Sequence, residues 1–132
     1  MKKSAHGFTL VELLVVVAII AVLSVVGITV FGGVQKNARD ARRKADIDSI
    51  SKALEANYSS GTYLALAGSM FSGGVVPQDP QNTGTFVYTV STLPATTYTA
   101  CAQLEAGNGG NSSNNTGTSV VNGAFYCGKN QQ

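Results

Sequence analysis

Leu13-Leu14-Val15-Val16-Val17-Ala18-Ile19-Ile20-Ala21-Val22-Leu23 is apolar throughout, and residues 13 to 35 carry no charge. Val25, Val26, Ile28, Val30 and Phe31 extend the run. About 20 apolar residues, rising ~1.5 Å each in a helix, cross a ~30 Å hydrocarbon core. Many of them are β-branched and form helices only moderately well in water. In lipid every backbone N–H and C=O must be bonded within the segment, which leaves the helix as the solution. The stretch therefore predicts a membrane-spanning helix. A secretory signal peptide, with Lys2 and Lys3 as its basic end, fits less well, because the apolar core is long and no small-x-small cleavage site ends it.

Outward from this run, the composition removes several kinds of chemistry. The chain has 132 residues, enough for one small domain. With His6 as the single His and two distant Cys, a zinc cluster cannot be assembled from the usual ligands. No Gly-rich phosphate loop is present. Charged residues make up 12%, so a large nucleic-acid footprint is not expected, and the C-terminal part lacks a basic patch. Asp79 and Glu105 lie in separate segments with no sequence reason to converge as an acid/base pair, so an enzyme is not expected either.

Glu12 stands at the start of the apolar run, where a carboxylate is costly unless it lies at headgroup level or finds a partner. It closes the stretch Gly7-Phe8-Thr9-Leu10-Val11-Glu12, which follows a short basic leader. That stretch resembles the prepilin N-terminal motif of type IV pilins and type II secretion pseudopilins, and the likeness covers about the first 30 residues. The resemblance implies cleavage between Gly7 and Phe8 by a membrane aspartic peptidase, N-methylation of Phe8, and use of Glu12 in assembly. It also implies an inner-membrane assembly platform, neighbouring pilin subunits and membrane lipid as partners. Physically, cleavage would place an ammonium on Phe8, close to Glu12, and a buried carboxylate is tolerated only when paired. The cation could come from the same chain or from a neighbouring one. In the latter case Glu12 would set the register of a polymer.

Topology draws opposing signals. Lys36, Arg39, Arg42, Arg43 and Lys44 follow the apolar run, and by the positive-inside rule they would place the C-terminal part in the cytoplasm. Two Cys in a small polar domain fit an oxidising compartment instead, and the motif implies a cytoplasmic leader. The expected location is the bacterial inner membrane, single-pass with the head outside the cytoplasm, and then a surface filament.

The helix is expected to continue past the membrane. Residues 34–58 contain no Pro, and Ile47, Ile50, Leu54 and Tyr58 recur at three- and four-residue steps. Ala38, Ala41 and Ala45 form a second stripe. Arg39, Arg42, Arg43, Lys44, Asp46 and Asp48 read as a polar face, either solvated or turned to lipid headgroups or to acidic residues of a neighbour. Gly27, Gly32 and Gly33 could bend or locally melt the helix, or allow close helix packing. Ser59-Ser60-Gly61 reads as its stop, with Gly61 as the left-handed cap.

Residues 62–132 are dominated by Gly, Ser, Thr, Asn and aromatics. Residues 62–84 read as loop. Residues 85–91, 96–105 and 124–127 read as strands, with Phe86, Tyr88 and Val90 on one face of the first and Tyr98, Ala100, Ala102 and Leu104 on one face of the second. Gly107 to Gly117 reads as a flexible turn. A thin core needs a staple, which Cys101 and Cys127 can supply by tying the second strand to the third. A reactive redox pair is the alternative. A C-terminal cystine is again similar to type IV pilins. The element Pro77-Gln78-Asp79-Pro80 resembles the major pseudopilins, many of which carry calcium in the following loop. Only Asp79 and Glu105 could be carboxylate ligands, and calcium needs six or more oxygens, so neither metal nor cofactor is expected. Asn57, Asn111 and Asn114 begin glycosylation-like triplets of the kind that chance produces in so polar a chain.

The expected fold class is α+β: a long helix packed on a three-stranded antiparallel meander. Residues 1–7 would be the leader, 8–35 the transmembrane and filament-core helix, 36–60 an amphipathic helix, and 61–132 the disulfide-bonded β head. The expected role is a structural filament subunit. The rivals are a pseudopilin of a secretion or competence filament and a membrane-anchored binding module that never polymerises.

Overall fold

The computed structural model describes residues 7–91 and 93–131. Residues 1–6, most of the expected leader, lie outside the described residues. One helix, α1 (Leu10–Ala56), contributes to two compact units, one ending at Gln35 and one beginning at Lys36.

In the first unit α1 runs without interruption through Gly27, Gly32 and Gly33. A side chain at any of these three positions would meet nothing within 4 Å, so packing inside this chain does not require glycine there. The apolar side chains of the unit, from Leu10 to Val34, are exposed. Such a helix gains nothing from water, and it is long and apolar enough to cross a membrane.

The second unit begins with the remainder of α1. Ile47, Ile50 and Leu54 are fully buried and pack with Tyr63, Tyr98, Ala100 and Ala102. Each large aliphatic side chain so buried contributes about 1.5–3 kcal/mol. Tyr63 stacks between Tyr58 and Tyr98, with ring centroids 4.6 and 4.8 Å away. The helix ends at Ala56, where the backbone and side-chain N–H groups of Asn57 both donate to the Ala53 carbonyl. Tyr58 therefore joins the core from outside the helix. Strands β1 (Tyr58–Ser59) and β2 (Thr62–Tyr63) form a small hairpin in which Ser60 and Gly61 both have positive φ. Gly61 is left-handed as expected, but it serves a two-residue hairpin turn and not a helix cap.

The expected three-stranded meander is replaced, among the described residues, by this hairpin and a five-stranded antiparallel sheet. The sheet strands are β3 (Thr89–Val90), β4 (Thr99–Gln103), β5 (Gly110–Ser112), β6 (Ser119–Gly123) and β7 (Phe125–Lys129), in the order β3-β4-β7-β5-β6. The last strand thus sits at the centre. The first expected strand shrinks to Thr89–Val90, because Phe86 closes a turn onto Thr83. Even so, Phe86, Tyr88 and Val90 share the half-buried side, and Tyr98, Ala100, Ala102 and Leu104 are buried as expected. The expected flexible turn contains β5, and β6 follows it. Their glycines permit close approach: a side chain at Gly110 would lie 2.0 Å from the Phe125 carbonyl oxygen, and one at Gly123 would lie 2.0 Å from that of Ser112.

Candidate functional site

The first candidate site is the start of α1. Gly7 and Phe8 precede the helix, and Phe8 is 82% exposed, so the peptide bond between them is accessible. Thr9 is the helix cap: its carbonyl accepts from the Leu13 N–H at 3.3 Å. Glu12 Oε2 accepts from the Thr9 N–H at 2.9 Å and from the Thr9 hydroxyl at 2.8 Å. The Glu12 N–H donates back to Thr9 Oγ1 at 3.2 Å. This reciprocal arrangement is a capping box, legible as Thr-x-x-Glu before an apolar run, and the search for a counter-charge overlooked it. Glu12 therefore has neutral donors on one oxygen within its own chain, and these donors supply no compensating charge.

The second cluster lies wholly in the head. Arg43, expected on a solvated face, is 0% exposed and is the hub of an ionic network. Its guanidinium grips Asp79 with two bonds, Nε to Oδ2 at 2.6 Å and Nη2 to Oδ1 at 3.0 Å. Nη1 donates to Asp40 at 2.8 Å and to Glu105 at 2.6 Å. Arg43 also lies 4.7 Å from the centroid of the Phe86 ring. Arg39 holds Glu105 through two bonds of 2.6 Å. Backbone N–H groups of Glu105 and Ala106 complete Asp40, and those of Gln81 and Asn82 complete Asp79.

Asp79 and Glu105, which nothing in the sequence brings together, thus meet on one arginine. Arg39 first, and then Arg43, hold Glu105 down to about 2 against the effect of burial. Burial pushes Asp79 up, but the bonds from Arg43 and the Gln81 N–H outweigh it, and its pKa is lowered. Both are held as paired anions, a structural arrangement and not one suited to trading protons. No cluster of three or more potential metal ligands occurs among the described residues. The signal for this network was present in the helix itself. Asp40 and Arg43 are three residues apart on the side that Ile47, Ile50 and Leu54 continue.

Cys101 and Cys127 are joined as a disulfide and lie directly opposite in the β4–β7 register. The Asn111 side chain is occupied as a backbone mimic: its amide donates to the Cys127 carbonyl and its oxygen accepts from the Cys127 N–H. The Asn57 amide is held by the helix end and the Asn114 amide by Thr118.

No curated protein and no solved structure matches the chain. Residues 2–28 match the family model described as the prokaryotic N-terminal methylation motif. The match spans both the expected cleavage point and Glu12, and the capping box and exposed apolar helix lie where it falls. The chain thus carries the prokaryotic N-terminal methylation motif, the signature of type IV pilins and pseudopilins.

Proposed function

We propose that this protein is the structural subunit of a type IV pilus or related filament. The prepilin peptidase cuts between Gly7 and Phe8, Phe8 is N-methylated, and residues 8–35 anchor the chain in the inner membrane with its head outside the cytoplasm. An assembly platform then extracts the subunits, which bundle through that helix. One observation carries the reading: a methylation motif opens a helix whose apolar side chains have no partner in their own chain. Lipid can cover such a surface before assembly, and identical helices can cover it afterwards.

Glu12 supports the polymer over a simple anchor. Its neighbours in the chain are neutral donors, while the processed Phe8 amine of this or an adjacent subunit would supply the missing charge. Two measurements test the proposal. Mass spectrometry of the cell-derived N-terminal peptide should find a chain beginning at methylated Phe8, and a retained Met1 would contradict processing. Glu12→Ala should be inserted and cleaved yet absent from filaments, and normal incorporation would contradict the assembly role.

A further inference from the structure

The face of α1 turned away from the head core, between Lys36 and Ala56, has no partner in the chain. Ala38, Ala41, Ala45 and Ser49 lie along it, all exposed. Small side chains alone do not choose a partner, but the two edges of this face carry opposite charges. On one edge Arg42 has a side chain 68% exposed. Among the described residues its ionic neighbour is Asp46 at 3.8 Å, too far for a hydrogen bond. Asp46 already accepts from the Tyr88 hydroxyl at 2.7 Å. On the other edge Asp48 is exposed. Its Oδ1 accepts from the neutral Tyr126 hydroxyl at 3.0 Å, and among the described residues no basic group lies within ion-pair distance of it. Six residues of helix separate the two and place them about a third of the circumference apart.

We propose that this face is a seam for a second copy of the chain, lying parallel to the first and shifted by about six residues, or ~9 Å, along the helix axis. Arg42 then faces Asp48 of the partner subunit. The proposal rests on the filament reading above and adds its register. The charge layout selects this geometry. A two-fold antiparallel pair would lay both Arg42 edges along one side and both Asp48 edges along the other. A parallel, shifted pair instead brings positive edge to negative edge. It is also heterologous, so it repeats from copy to copy and does not close. Exposed ion pairs are individually weak, so this pair sets register while the apolar residues supply the attraction.

The test uses the full chain in cells that process and assemble it. R42E and D48R should each lower surface filaments about tenfold or more, because like charges then face each other. Membrane subunit levels and the Cys101–Cys127 disulfide should be unchanged. The combined R42E/D48R chain should recover to within about twofold of wild type, since the pair is restored with its signs exchanged. Cysteines at both 42 and 48 should yield disulfide-linked ladders in filaments, and either cysteine alone should not. If wild-type chains never polymerise in those cells, the filament reading and the seam both fall. If filaments form but single reversals are harmless, the double reversal is no better than either single, or no ladder appears, the seam alone is overturned.

Discussion

A guanidinium shut off from solvent is stable only because every side of it is answered. Arg43 has three carboxylates, the Gln81 side-chain oxygen and an aromatic face around it. Replacing it with Met would leave Asp79 and Asp40 buried without their cation. A loss of about 3–5 kcal/mol is expected, read as a lower urea midpoint for the detergent-solubilised chain. Arg42→Met, one residue away but exposed, should cost less than about 0.5 kcal/mol in the same measurement. Gly123→Ala tests a different residue-level constraint. The added carbon would press on the Ser112 backbone, so β5 and β6 should separate. Faster amide hydrogen exchange across Gly110–Gly123 would register it, and unchanged protection would mean the strands can give way.

At the scale of elements, the head is held together by short strands, and β4 and β7 form its spine. The disulfide joins their directly paired residues across a sequence separation of 26. On the chain-entropy account, closing a loop of that size contributes ~3.5 kcal/mol. Cys101→Ser/Cys127→Ser should therefore lower the thermal midpoint of the head substantially while leaving the helix in the membrane. Circular dichroism that follows sheet and helix separately would show the two behaviours. The long helix and the faces of β3 and β4 were readable from periodicity, because apolar side chains recurred at the step of the element that buries them. β5 and β6 were not. Gly110 and Gly123 look like flexibility in a sequence, yet here they are the positions where two backbones come too close for any side chain. Gly61 was read correctly as left-handed, but a positive φ serves a hairpin as well as a helix end, and only the pairing of Tyr58 with Tyr63 distinguishes them.

At the scale of the whole molecule, charge and solvent set the working range. The carboxyls of Asp79 and Glu105 have lowered pKa values in the folded head. Their contribution to stability is fully present above the ordinary carboxylate range and is lost as pH falls through the folded values. The head should be equally stable from about pH 7 to pH 5 and weaken between about 4.5 and about 2. On the alkaline side, burial pushes the Tyr98 hydroxyl up to about 12. Its neutral form is favoured in the fold, so stability should fall as pH rises from about 10 toward about 12. Unfolding curves recorded across pH would check both flanks, and a loss already complete at pH 5 would contradict the acid one.

The sequence by itself determined the apolar helix and the methylation motif at its start. Both are local: a run of uncharged residues leaves the backbone one way to satisfy itself in lipid, and the motif is read from contiguous residues. It also determined the buried stripe of α1, since Ile47, Ile50 and Leu54 cannot be exposed without cost. Only the tertiary structure decided that Asp79 and Glu105 meet on Arg43, that the final strand occupies the middle of the sheet, and that glycines hold strands close. Those outcomes depend on which distant segments pay the entropy of coming together, and no local pattern of residue types encodes that choice.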